Sequence, residues 1–438
     1  MRREDTIFSL ATPPGRSGVA VVRLSGPRTR AAVAALVGGV PVARKATLRR
    51  IKNPATGETI DQGLVLWFPA PGSFTGDDVA EFHLHGGPAV IDAVLEALAS
   101  QEGCRPAEAG EFTRRAFENG KLDLTEVEAA DLIEAQTEGQ RRQALRQMEG
   151  VFGQAVGRWR KVLVRALAYA EADLDFPDED LPDGVAGQVR EILGPLRGDI
   201  AEQLADDRRG EKLRRGYHVA ILGAPNVGKS SLLNRLAQRP AAIVSDTAGT
   251  TRDVIDVQMD LGGLPVTLSD TAGLRESGDD IEAEGVRRAL GVAEKADAIL
   301  WVREAGGKAG DGERPPNGSV PVIIVENKCD LLPVDRGDVG NPRISALTGD
   351  GVNELLTMLT GLLSREAAPG DGQLITRLRH RQALEEVLSS LDRALGATEA
   401  ELMAEDLRLA VRALGRLTGR VDVEDLLDVI FRDFCIGK

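Results

Sequence analysis

The chain has 438 residues and a formal net charge of −14 at pH 7, a length that predicts about three domains and a charge that offers nucleic acid no global attraction. Its hydrophobic content of 42 % suffices for several cores, and no apolar run reaches membrane-spanning length. Three scattered cysteines, Cys104, Cys329 and Cys435, argue against a disulfide framework, and the opening MRREDTIFSLA lacks the long apolar stretch of a signal peptide, so the expected location is the cytoplasm.

Residues 1–120 mix short strands (VAVVRL, GLVLWF, VAEFHL) with one helix, PAVIDAVLEALAS, and predict a compact α+β domain. His83 and His85 form an HxH on a strand, without the cysteine or acidic cluster that zinc spacing requires. Helical periodicity then begins and defines a first helical part, 121–215. TEVE at 125–128 reads as a capping box, and apolar residues recur through 151–174 until Pro177 breaks the pattern. A second amphipathic run covers 189–209. Basic clusters at 141–146, 208–215 and 377–382 are candidate local footprints for RNA, although such clusters also serve as solvated helix faces.

The segment 216–365 carries the chemistry. YHVAILG (217–223) reads as a buried strand, GAPNVGKS (223–230) as a phosphate-binding loop, and SSLLNRLA (230–237) as the helix whose N-terminal dipole faces the phosphates. Gly223 and Gly228 permit the backbone to turn its N–H groups inward. Lys229 is expected to reach the β- and γ-phosphates, and the Ser230 hydroxyl to ligate Mg²⁺. TAGTTRD (247–253) and DTAG (270–273) follow. Thr251 is placed to add its hydroxyl to Mg²⁺, Asp270 to hold the metal through water, and the Gly273 N–H to meet the γ-phosphate.

After VPVIIV (320–325), which reads as an apolar strand, comes NKCD (327–330). Asp330 can accept both N1–H and the exocyclic amine of guanine, an edge that adenine does not present, so the motif selects GTP over ATP. SAL (345–347) stands where a backbone N–H would meet guanine O6. Leu274 occupies the place where Ras-like proteins carry a water-orienting Gln. Catalysis must therefore come from elsewhere. Asn226 offers a side-chain oxygen for a monovalent cation beside the phosphates, and Glu276, Asp279, Asp280, Glu282 and Glu284 are all carboxylates able to orient water. Beyond 366 the chain is again helical, with runs at 381–395, 405–419 and 423–434.

Taken with DTIFSLATPPGRSGVAVVRLSG, FTGDDVAEFHLHGGP, EFTRRAFENGKLDLTEVEAADLI, DFPDED and the terminal FCIGK, the chain resembles the MnmE (TrmE) family of tRNA-modification GTPases over nearly its whole length. The resemblance implies a multidomain α/β protein: an N-terminal α+β folate-binding and dimerisation domain (1–120), a discontinuous helical domain (121–215 and 366–438), and an inserted P-loop, Ras-like GTPase domain (216–365). It implies a K⁺-stimulated GTP hydrolase that works as a homodimer with the flavoprotein MnmG. The product is a carboxymethylaminomethyl-type modification at C5 of the wobble uridine of certain tRNAs, with a 5-formyl- or 5,10-methylene-tetrahydrofolate as one-carbon donor.

Carried onto matching positions, the family's GTP contacts fall on Asn226, Val227, Gly228, Lys229, Ser230, Ser231, Ser245, Asp246, Thr247, Ala248, Gly249, Thr250 and Thr251, then Asp270, Thr271, Ala272 and Gly273, and finally Asn327, Lys328, Asp330, Ser345 and Ala346. K⁺ would be bound by Asn226, Ser245, Thr247 and Thr250. Glu282 resembles the family's water-orienting glutamate, and Arg23, Glu81, Lys121 and Lys438 fall in its folate-binding segments. Cys435 lies in the terminal CxGK signature, with Lys438 as its nearest activating partner in sequence. Two rival classes remain: a ribosome-assembly or RNA-chaperone GTPase switch, which would not need the N-terminal domain or CIGK tail, and a membrane-remodelling GTPase, which would need a membrane-facing segment.

Overall fold

The computed structural model describes residues 4–128, 131–175, 185–206, 208–243, 256–270, 295–306, 320–332, 340–366 and 374–421. The chain divides into two compact units, Met1–Ala130 with Met148–Arg160 and Arg412–Lys438, and Asp131–Gln147 with Lys161–Val411.

In the first unit, strands β1 (Thr6–Leu10), β2 (Ser17–Ser25), β3 (Thr47–Lys52), β4 (Thr59–Phe68), β5 (Val79–Gly86) and β6 (Cys104–Pro106) form one sheet in the order β3-β4-β5-β2-β1-β6. Every neighbouring pair is antiparallel except β1 with β6. Because side chains alternate along a strand, Val22 and Leu24, Val65 and Trp67, and Ala80, Phe82 and Leu84 share a core with residues of the helices Thr29–Val37 and Pro88–Ala99. The other set of positions on β5 carries Glu81 and His83, and the register sets Arg23 of β2 opposite Glu81.

The helix expected to start with a cap at Thr125 starts earlier. Asp123 is the N-cap of Leu124–Val127: its carboxylate accepts from the N–H groups of Thr125 and Glu126, while the Glu126 side chain accepts from the Asp123 N–H at 2.8 Å. The capping box is therefore Asp123 with Glu126, and the Thr125 hydroxyl is spent on the same aspartate at 2.6 Å.

The second unit holds β7 (Tyr217–Leu222), β8 (Ala242–Ile243), β9 (Asp256–Leu261), β10 (Leu264–Asp270), β11 (Ala298–Glu304) and β12 (Val322–Asn327) in the order β12-β11-β7-β10-β9-β8. Strands β12, β11, β7 and β10 run parallel, and β9 and β8 complete the sheet antiparallel. Buried on both faces, the central strands read as nearly continuous apolar runs. The helices Lys229–Ala237 and Val352–Glu366 pack on the face that carries Val219, Ile221, Leu268, Leu300 and Val325. A parallel sheet with a glycine-rich turn from its central strand into a helix is the P-loop architecture.

Helical stretches from either side of this module in sequence pack on each other. Arg190, in Val185–Leu204, donates to the Ala397 carbonyl at 2.8 Å, and Arg197 pairs with Asp392 of Leu378–Gly396. Arg381 is buried, donating to Asp206, Glu211 and the Leu204 carbonyl. The amphipathic run read as continuous over 189–209 ends at Leu204. Arg208 takes a left-handed backbone with φ 60° and a separate short helix, Arg209–Arg215, follows. Likewise β12 begins at Val322 and not at Val320, because Pro321 lacks the N–H that a strand ladder needs.

Candidate functional site

Strand β7 delivers the chain into a loop whose backbone only glycine tolerates at two places. Gly223 has φ 145°, and a Cβ there would come within 2.0 Å of the Val302 carbonyl oxygen; Gly228 has φ 97°. Between them Asn226 is exposed with φ 64°, a left-handed conformation that asparagine accepts more readily than most residues. Val227 turns its side chain into the core beneath the sheet. Ser231 is exposed in the first turn of Lys229–Ala237.

Lys229 is 9 % exposed, and its ammonium donates to the carbonyls of Gly223 and Ala224, each at 2.8 Å. Burial pushes its pKa down, and Asp270 only partly offsets that shift. A buried cation whose hydrogen-bond acceptors are neutral carbonyls, at a helix N-terminus, fits an anionic phosphate. Beside it the Ser230 hydroxyl donates to Asp270 Oδ2 at 2.6 Å. Asp270 is buried at the end of β10, whose parallel pairing with β7 sets it level with Ile221, just before the loop. A hydroxyl and a carboxylate converging there are the hard oxygen donors that suit Mg²⁺.

The side of the site formed by 327–330 and 345–347 is braced from several elements. Asn327 is buried; its amide donates to the Val227 carbonyl at 2.8 Å, and its carbonyl accepts from the Ala346 N–H at 2.9 Å. One side chain thus ties the phosphate loop to the loop that carries Ser345 and Ala346. Lys328 has φ 66° and pairs with Glu304 at 3.1 Å, and Asp330 stands exposed on the short turn Cys329–Leu331. Ser345 is fully buried and its hydroxyl accepts from the Thr348 N–H.

Below them Glu326 lies between Arg303 and Arg343, at 2.7 and 2.8 Å. Burial raises its carboxyl pKa, but hydrogen bonds from the two arginines outweigh that and hold it below the usual glutamate value.

In the first unit Arg23 and Glu81 meet as a bridge, with Nη2 to Oε1 at 2.9 Å and Nε to Oε1 at 3.0 Å, while His83 sits 3.3 Å from the other oxygen of Glu81. The Arg23 guanidinium also lies over the rings of Phe74 and Phe112. Lys121 donates to the Pro71 carbonyl at 3.0 Å, and Asn119 to Thr75, so both reach the loop that bears Phe74. Three of the four folate-segment residues therefore border one region of the sheet.

Ser245, Asp246, Thr247, Ala248, Gly249, Thr250, Thr251, Thr271, Ala272, Gly273, Leu274, Glu282, Cys435 and Lys438 lie outside the described residues. Several cations of the basic clusters are engaged in ion pairs. Arg141 and Arg142 pair with Glu138, Arg215 with Asp297, and Arg381 with two carboxylates.

The sequence gives no mark for Phe74, Glu326 and Arg235, and it offers His83 only as half of an HxH without zinc spacing, not as a partner of Glu81. Period-two spacing from Glu81 signals His83. The others depend on contacts between distant segments.

Two family models match the chain: GTP-binding protein TrmE N-terminus over residues 6–121, and MnmE helical domain over 124–435. A tRNA modification GTPase MnmE of Parvibaculum lavamentivorans is 57 % identical over 443 residues, covering 99 % of this chain and all of the relative. Another, of Rhodospirillum rubrum, is 54 % identical over 455 residues, covering 99 % of each. Among solved structures, Era in complex with MgGDPNP and 16S ribosomal RNA nucleotides matches at 27 % identity over 42 % of this chain and 68 % of that one, with a TM-score of 0.28, too slight to bear on the fold.

Proposed function

This chain belongs to the MnmE family of tRNA modification GTPases, and from that premise we propose that it is a K⁺-stimulated GTP hydrolase acting with MnmG on C5 of the tRNA wobble uridine, with a tetrahydrofolate derivative as one-carbon donor. The observation that supports it most is the constellation at the start of Lys229–Ala237, where the buried Lys229 ammonium and the Ser230–Asp270 pair converge.

In this reading Lys229 and the inward N–H groups of the loop hold the phosphates, and Asp330 selects guanine. Ser230, with Thr251, supplies oxygen to Mg²⁺, which when bound offsets charge on the β- and γ-phosphate oxygens. Asn226, with Ser245, Thr247 and Thr250, would hold K⁺, which supplies the positive charge that an arginine finger brings in other GTPases. Asn226 suits that role by position, exposed and left-handed within the phosphate loop. With Leu274 unable to orient water, Glu282 takes that task. Nucleotide-dependent association of two GTPase modules in a homodimer would order the K⁺ loop and couple hydrolysis to modification.

Arg23 and Lys121 would attract the carboxylates of the folate tail and Glu81 the donor edge of its pterin, with Lys438 as a further cation. The bridge between Arg23 and Glu81 and the ring of Phe74, 45 % exposed above Arg23, provide polar and flat apolar surface together. Cys435 is retained as a thiol of the terminal motif.

The test is nucleoside analysis of tRNA incubated with the protein, MnmG, a folate donor and GTP, omitting one component at a time. The proposal predicts that the modified wobble uridine is lost with each omission. Modification that proceeds without GTP or without folate would refute the corresponding part, and its absence from the complete mixture would favour an assembly switch.

A further inference from the structure

Arg235 lies on the helix that carries Lys229 and Ser230, yet its side chain serves the opposite end of the nucleotide site. Its Nε donates to the Ala346 carbonyl at 3.0 Å and its Nη2 to the Leu347 carbonyl. One planar fork thus holds two consecutive carbonyls of the 345–347 loop. In a trans peptide the C=O and the following N–H point in opposite directions. Fixing those two carbonyls toward the helix therefore turns the N–H groups of Leu347 and Thr348 away from it. The Ala346 N–H is held by Asn327 and the Thr348 N–H by Ser345 Oγ. Ile344 and Ala346 are anchored in the core, but Leu347 is 77 % exposed and adds no packing, so at this residue hydrogen bonds hold the backbone.

We propose that Arg235 is a positioning residue for recognition of guanine O6, holding the 345–347 loop so that the Leu347 N–H, turned away from the helix and engaged by neither Asn327 nor Ser345, is aimed at the base. This rests on the reading of that loop as the O6 contact. Arg235 touches neither base nor phosphate in this scheme. It couples the helix that binds phosphate to the loop that reads the base.

The experiment compares affinities of the full-length protein for GTP, for 6-thio-GTP, which changes only O6, and for ITP, which lacks only the 2-amino group read by Asp330. Wild type is expected to prefer GTP over both analogues. Arg235→Ala should weaken GTP by about tenfold, shrink the preference over 6-thio-GTP, and leave the GTP to ITP ratio and kcat at saturating GTP unchanged. Arg235→Lys, which keeps one donor, should recover part of the loss.

An equal fall for all three nucleotides would mean a merely structural role and overturn the proposal. So would an unaltered preference in both variants when wild type discriminates. If wild type itself does not distinguish GTP from 6-thio-GTP, the O6 reading fails and the proposal with it, a result separable from the others.

Discussion

The α-carbon of Gly228 faces the side-chain amide of Asn327: a Cβ at Gly228 would stand 2.2 Å from Asn327 Nδ2, in a backbone with φ 97°. That amide is already committed to the Val227 carbonyl, and its other end to Ala346. The 223–228 loop, the end of β12 and the 345–347 loop are therefore one interlocked unit. Gly228→Ala must both strain the backbone and expel Asn327 from its two bonds. We expect a loss of roughly 2 kcal/mol in stability with nucleotide binding abolished, measured by denaturant unfolding and by titration with a fluorescent guanine nucleotide. Wild-type affinity in this variant would show that the interlock is dispensable.

Lys229 is buried against carbonyls, its pKa lowered by that burial, and an arriving phosphate relieves the unfavourable environment. Mg²⁺-GTP at roughly a hundred times its Kd should stabilise wild type by about 2.7 kcal/mol. Thermal unfolding of Lys229→Ala should show no such shift. A full shift in the variant would place the phosphates elsewhere.

Arg381 satisfies Asp206 and Glu211 in a nearly buried setting, with its side chain 6 % exposed and each carboxylate 14 %. Arg381→Met leaves two carboxylates facing each other without their cation, and should cost about 3–5 kcal/mol. Equilibrium unfolding checks this. A change below about 1 kcal/mol, the range of exposed pairs, would make Arg381 a surface cation and restore the 377–382 cluster as an RNA footprint.

The carboxyl of Glu326 is held below its ordinary value of 4.5 despite burial, because Arg303 and Arg343 donate to it. A group with a lowered folded pKa binds fewer protons folded than unfolded, so its stabilisation is complete above the ordinary value and is lost as pH falls through the folded one. Glu326→Gln should melt below wild type at pH 7, with the gap narrowing below 4.5. A gap constant with pH would show that shape, and not charge, is what the triad contributes.

Local signals were enough for much of this fold. The strand, glycine-rich turn and helix at 217–237 are legible because apolar run, glycine spacing and Lys229 are contiguous. Boundaries failed where two residues compete for one role. Asp123 and Thr125 both suit an N-cap, and only the tertiary fold shows that Asp123 takes it. The left-handed Arg208 carries no sequence mark, so a helix end at Leu204 was invisible. At the site, residue types predicted chemistry, whereas the bonds of Asn327 to Val227 and of Arg235 to Ala346 span about a hundred residues and follow from topology alone.

That a monovalent cation supplies the charge an arginine finger brings elsewhere, and Glu282 the water-orienting group that Leu274 lacks, is tested by steady-state GTP turnover in K⁺, Na⁺ and Cs⁺ buffers, with Asn226→Ala and Glu282→Ala alongside. Strong stimulation by K⁺ that vanishes in Asn226→Ala is expected, with loss of turnover by at least about a hundredfold in Glu282→Ala, the scale of a water-activating group. Turnover indifferent to the cation in wild type would contradict it and assign the charge to an arginine or a partner protein.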